Sequence, residues 1–261
     1  MGILNLTPDS FYEPSRFLHR LDTLRERVRQ IKDEGAAMLD VGAFSSRPGA
    51  VEVSKEEELQ RLRKGLSIIL RELPEDFIVS VDTFRADVAR MSCEEYGVNM
   101  INDISGGEMD KAMFATVASL QVPYILTYSR NGIGSASEGR GSEVADIVVE
   151  EFNYFSSKIN RLHDMGVPDI IVDPGFGFSK SRSQDFEILS NLRHFRELGC
   201  PILAGLSRKR MVYETLGCTV GESLDGTIAV NTVALMNGAS ILRVHDVKAA
   251  VSAVKMVEKV K

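Results

Sequence analysis

Eight short apolar runs divide this chain, and a polar or charged residue closes almost every one. Gly2-Ile3-Leu4 ends at Asn5, Ala37-Met38-Leu39 at Asp40, and Phe77-Ile78-Val79-Ser80-Val81 at Asp82. Asn99-Met100-Ile101 ends at Asn102-Asp103, Val122-Pro123-Tyr124-Ile125-Leu126 at Thr127, and Asp169-Ile170-Ile171-Val172 at Asp173. Pro201 to Leu206 ends at Ser207, and Ser240-Ile241-Leu242 at Arg243. A stretch of helical periodicity follows each run. Strands alternating with helices specify an α/β fold, here a single (β/α)8 TIM barrel of parallel strands. All strand ends then converge on one mouth, where barrel enzymes keep their chemistry. The 261 residues suit one such domain, 1–261, with no linker or composition shift to divide them.

The periodicity places helices over about 16–33, from Ser54 onward, and over 86–96, 111–120, 143–165 and 184–198. Two pieces, 211–216 and 221–236, fill the seventh slot, and 246–260 the eighth. Ser54 with Glu57 three residues on reads as a capping box. Gly97, Gly166 and Gly199 are stop signals. Three long loops, 7–15, 43–53 and 129–141, fall at the same mouth, where long loops are often binding loops.

A formal net charge of -6 argues against a nucleic-acid partner. No apolar run approaches the roughly 20 residues of a membrane helix, and no signal-peptide pattern opens the chain. Cys93, Cys200 and Cys218 lack metal-ligand spacing, which suggests reduced, buried thiols in a cytoplasm.

Asp82, Asn102 and Asp173 close strands three, four and six. Any one of them alone reads as well as a cap, but three at matching strand ends favour a shared site. Their carboxylates and amide suit a flat, nitrogen-rich ring. Ser207-Arg208-Lys209-Arg210 and Arg243-Val244-His245-Asp246 follow strands seven and eight, where such barrels often hold phosphate. Arg243 offers a planar fork and Lys209 a point charge. Arg208 and Arg210 read as solvated charges. His19, His163 and His194 fall on helices as surface residues, whereas His245 falls at the mouth. In Asp173-Pro174-Gly175-Phe176-Gly177-Phe178-Ser179-Lys180, the aromatics can wall a pocket and Lys180 can lie over it or in solvent. Asn5 and Asp9 can contact a hard ion, although Mg²⁺ sites with few protein ligands leave little trace in sequence.

Eight segments in order resemble dihydropteroate synthase, the folate-pathway family targeted by sulfonamides. They are residues 1–11, Asp40-Val41-Gly42, Ser45-Ser46-Arg47-Pro48-Gly49-Ala50, Val81-Asp82-Thr83, Ile101-Asn102-Asp103, Asp173-Pro174-Gly175, Leu206-Ser207-Arg208-Lys209 and Leu242-Arg243-Val244-His245-Asp246-Val247. The resemblance implies a transferase that joins 6-hydroxymethyl-7,8-dihydropterin diphosphate to 4-aminobenzoate, releasing pyrophosphate with Mg²⁺ assisting. It implies pterin contacts from Asp82, Asn102, Asp173 and Lys209, with Asp82, Asp173 and Lys209 catalytic. Asn5, Arg243 and His245 are implied at the diphosphate, with Asn5 also at the metal. Ser46, Arg47, Pro48, Phe178 and Ser207 are implied around the aminobenzoate. The resemblance also implies a homodimer joined through late helices. Family members carry a short leader before strand one, so a trimmed or late-starting chain is expected here.

The sequence departs from the family after strand five, where Thr127-Tyr128-Ser129-Arg130 replaces Met-His-Met and a basic residue. Ser129 aligns with a methionine that packs on the pterin face. Two other readings stay open at this stage: a methyltetrahydrofolate-binding methyltransferase barrel, and a non-catalytic pterin-binding paralogue. The first has no use for the Lys209 and Arg243 grips, and the second rests only on the strand-five change.

Overall fold

The computed structural model describes residues 1–6, 21–44, 53–129, 146–178 and 180–260. Among the described residues, eight strands alternate with nine α-helices. The strands are β1 (Gly2–Asn5), β2 (Met38–Gly42), β3 (Ile78–Asp82), β4 (Met100–Asp103), β5 (Tyr124–Thr127), β6 (Ile170–Asp173), β7 (Leu203–Ala204) and β8 (Ile241–Leu242). The helices are α1 (Leu21–Asp33), α2 (Lys55–Glu72), α3 (Ala86–Tyr96), α4 (Met113–Leu120), α5 (Ile147–Asp164), α6 (Arg182–Asn191), α7 (Arg210–Leu216), α8 (Leu224–Met236) and α9 (Val247–Val257).

Strands β1 to β6 form a parallel sheet in sequence order, and β7 pairs in parallel with β8. Single parallel bridges, Val172 with Ile202 and Gly2 with Val244, join the two sheets at both seams. Ile3 N donates to Val244 O and Val172 N to Pro201 O, each at 3.0 Å. The chain thus forms the expected TIM barrel.

Alternation along each strand sorts the side chains into two faces. Leu39, Val41, Val79, Val81, Tyr124, Leu126 and Val172 belong to the main core, against the helices. Met100, Ile125, Ile171 and Leu203 form a second, smaller core, with Ile78 and Ile241 packed on it. These six occupy the opposite face, the barrel interior. Two residues further along the chain from these six stand Ser80, Asn102, Thr127, Asp173, Gly205 and Arg243, the last two just past their strands. The apolar floor therefore passes straight into a polar mouth.

Local signals set the helix ends. Ser54 Oγ accepts from Glu57 N at 3.2 Å, but the Glu57 carboxylate turns to Arg61 instead of closing the expected box. The reciprocal box forms at α6, where Gln184 N donates to Ser181 Oγ and Ser181 N to Gln184 Oε1. Gly97 ends α3 at φ 68, a left-handed conformation that costs glycine little. The region expected to be one helix over 184–198 changes to 3-10 geometry from Leu192 to Leu198. His163 and His194 are exposed, as expected. The three cysteines are unbridged but only half-buried, which corrects the expectation of buried thiols. Among the described residues, no helix is long and apolar enough to cross a membrane.

Candidate active site

Sheet register brings the mouth residues together. Asp82 pairs with Gly42 on one side and with Asn102 on the other, and Thr127 pairs with Asp173. Arg243 reaches in from just past β8 and touches two acids. Its Nε lies 2.6 Å from Asp40 Oδ2 and its Nη2 lies 2.8 Å from Asp82 Oδ2. Asn102 Nδ2 donates to the same Asp40 oxygen at 2.9 Å.

Asp40 is the residue that sequence reasoning missed. By sequence it closes an apolar run, yet it sits mid-strand in β2, fully buried. The available signal was its two-residue spacing from Gly42, which places both on the inward face. Asp103, beside Asn102, has the opposite parity. It accepts from Ser105 N, Ser105 Oγ, Gly107 N and Tyr124 Oη, all within 2.8 Å, and so secures the loop after β4. The buried Oδ1 atoms of Asp40, Asp82 and Asn102 have no hydrogen-bond partner among the described residues.

The loop after β6 supplies a second wall. Asp173 Oδ1 accepts from Gly175 N at 2.8 Å. Lys209 Nζ donates to Phe176 O and stands 4.8 Å from the Phe178 ring centroid. A Cβ at Gly205 would lie 3.7 Å from Lys209 Nζ and 3.9 Å from Asp173 Oδ2, which puts this position beside both charged groups. Burial pushes the Asp173 carboxyl up while the Lys209 charge pulls it back. Burial also pushes Asp82 up, opposed by Arg243. The Lys209 ammonium is lowered to about 8, again by burial, with Asp173 opposing.

Ser207 and His245 meet at the seam between β7 and β8. Ser207 Oγ accepts from His245 N at 3.2 Å and lies 3.1 Å from its Nδ1. The residue expected at the aminobenzoate is thus tied to one expected at the diphosphate. Burial, reinforced by Arg243, lowers His245 to about 4, so its imidazole is neutral at ordinary pH. Arg208 corrects its reading as a solvated charge. It is buried, with Nε 2.8 Å from Asp246 Oδ2 and Nη2 3.0 Å from Asp246 Oδ1. Its Nη1 donates to Val220 O and Gly221 O. Arg210 is largely exposed and stands 3.6 Å from Glu214, as a solvated residue should. Lys180 is also buried, beneath the β6 loop rather than over the mouth.

Asn5 ends β1 at the rim, and a Cβ at Gly42 would lie 3.2 Å from Asn5 Oδ1. A side chain at position 42 would crowd that amide. Among the described residues, no cluster of three or more His, Cys, Asp or Glu could hold a metal. Ser46, Arg47, Pro48 and Asp9 lie outside the described residues.

Residues 1–245 match the family described as pterin binding enzyme. A dihydropteroate synthase of Clostridium beijerinckii is 39% identical, over 99% of this chain and 92% of its own length. The structure of Yersinia pestis dihydropteroate synthase with a sulfonamide drug complex superposes at a TM-score of 0.92, with 32% identity over 100% of this chain and 93% of that one. Thermus thermophilus dihydropteroate synthase in complex with 4-aminobenzoate gives 0.86, with 33% identity over 100% and 93%. With a family match over nearly the whole barrel and a relative of this identity, the chain belongs to the pterin binding enzymes, among the dihydropteroate synthases.

Proposed function

We propose that this mouth joins 6-hydroxymethyl-7,8-dihydropterin diphosphate to 4-aminobenzoate, forming dihydropteroate and pyrophosphate. The observation that carries the reading is the set of unpaired buried acceptors on Asp40, Asp82 and Asn102. Buried acceptors require donors. An aminopterin edge supplies N–H groups in one plane, matching carboxylates and an amide on neighbouring strands.

Each residue then has a distinct task. Asp82, Asn102 and Asp173 hold the pterin, and Lys209 closes over it. As the diphosphate leaves, positive charge develops at the pterin methylene, and the carboxylates of Asp82 and Asp173 stabilise it as preorganised charges. Arg243 and Lys209 favour the departing anion. His245, being neutral, contributes an N–H rather than a charge. Phe178, Ser207, Ser46, Arg47 and Pro48 border the aminobenzoate, whose amine attacks the methylene.

Mg²⁺ would be held at the rim by the Asn5 amide oxygen, which stands beside Gly42. Mg²⁺ commonly takes few protein ligands and completes its shell with water and substrate phosphate oxygens. When bound there, it would neutralise charge on the leaving pyrophosphate. A homodimer through the late helices is supported by Val233 and Met236 on α8 and Met256 on α9, all exposed apolar residues. The three unbridged cysteines agree with a cytoplasmic setting.

The test mixes purified protein with Mg²⁺, the pterin diphosphate and 4-aminobenzoate. Pyrophosphate release and dihydropteroate formation that require the amine are expected. Tight pterin binding without turnover would instead assign a non-catalytic pterin-binding role.

A further inference from the structure

We propose that Lys180 is a positioning residue for the pterin end of the mouth: buried between Glu151 and Tyr128, it holds the Pro174 carbonyl and so sets the turn that follows Asp173. The proposal rests on the pterin reading above.

Four consecutive turn residues each have one backbone group held by a different charged side chain. Pro174 O accepts from Lys180 Nζ at 2.6 Å. Gly175 N donates to Asp173 Oδ1 at 2.8 Å. Phe176 O accepts from Lys209 Nζ. Gly177 N donates to Asp185 Oδ1 at 2.9 Å. Asp173 and Lys209 face the ligand, whereas Lys180 and Asp185 act from behind. A shift of the rear pair must therefore move the front pair.

The turn has no slack to absorb such a shift. Gly175 has φ +66, and a Cβ there would lie 2.4 Å from Tyr128 O, so the turn is pressed onto the end of β5. Lys180 itself is fixed on three sides. Its Nζ stands 2.9 Å from Glu151 Oε1, and both side chains are fully buried. It also lies 4.7 Å from the Tyr128 ring centroid. Tyr128 Oη in turn donates to Glu150 Oε1 at 2.5 Å. Tyr128 belongs to the segment that departs from the family pattern, so the altered segment at the end of β5 serves as a seat for Lys180. A buried ion pair adds little net stability over an apolar pair of similar volume. What this pair adds is a directed donor to Pro174.

That contrast sets the experiment. Lys180→Met leaves Glu151 buried without its cation and is expected to lower thermal stability. The double variant Lys180→Met/Glu151→Leu replaces the pair by apolar groups and is expected to recover stability. Both variants should nevertheless bind 6-hydroxymethylpterin about tenfold or more weakly by calorimetry, with a matching rise in KM for the pterin diphosphate, because the charged hydrogen bond to Pro174 is gone. Glu151→Gln keeps the donor and should bind the pterin as the unaltered protein does. A double variant that regains both stability and pterin affinity would overturn the proposal, as would a Glu151→Gln loss equal to that of Lys180→Met. An unaltered protein that fails to bind 6-hydroxymethylpterin would remove the pterin reading, and this proposal with it.

Discussion

Arg243, just past β8, reaches across β1 to Asp40 on β2, with Nε 2.6 Å from Oδ2. The same Asp40 oxygen accepts from Asn102 Nδ2, so one carboxylate atom joins the side expected to bind phosphate to the side expected to bind pterin. Asp40→Asn removes the anion but keeps the shape. It should destabilise the fold by about 2 kcal/mol, the worth of a charged hydrogen bond, measured by urea unfolding. Turnover should fall much further than stability requires. A variant with unchanged kcat/KM would place Asp40 outside the catalytic arrangement.

Arg243→Gln tests the other partner. Losing the guanidinium removes attraction for the diphosphate and also leaves Asp40 and Asp82 without their cation. Binding of the pterin diphosphate should weaken roughly 100-fold, within the range for a buried charged contact, and binding of bare pterin by a smaller factor. Calorimetry with the two ligands distinguishes the effects. Equal losses would reduce Arg243 to a structural counter-ion.

Lys209 sets the expected alkaline limit. Its ammonium is lowered from 10.5 to about 8, so charge is lost as pH rises through that value. The kcat/KM profile reports the free enzyme and should fall there. Folding responds in the opposite sense. Because the native lysine releases its proton before the unfolded one, the Lys209 contribution makes the protein more stable between about pH 8 and 10.5. Lys209→Arg should abolish this limb. His245, lowered from 6.5 to about 4, should add no step to the kcat/KM profile between about pH 5 and 7, whereas its contribution to folding stability should be lost as pH falls from about 6.5 to 4.

Arg208 and Asp246 form the clasp between the β7 and β8 loops. Asp246→Asn should cost roughly 2 kcal/mol in chemical denaturation, against the few tenths typical of an exposed charge. Arg208→Lys should not restore the loss, since an ammonium cannot reproduce the two-point contact. A near-neutral Asp246→Asn would return Arg208 to the solvated class.

The barrel was legible because its signals are local. Each strand is a short apolar run with a polar terminator, and each helix carries its own period, cap or stop. Asp82, Asn102 and Asp173 were legible for the same reason: equivalent strand ends in a parallel barrel share a mouth. Asp40 was lost when a run was read by where its apolar residues stop rather than by which face each residue takes.

Arg208 and Lys180 could not be read locally at all. The partner of Arg208 lies 38 residues away, and Lys180 pairs with a glutamate on the preceding helix. A cation with no visible partner is best read as solvated, and only folding brings such partners within 3 Å. The sequence alone thus determined the strand order, the alternation of layers and the placing of Asp82 and Asp173 at the mouth, since these follow from periodicity and parallel geometry. Tertiary structure alone decided which charges are buried and paired, because pairing depends on distances between segments remote in the chain.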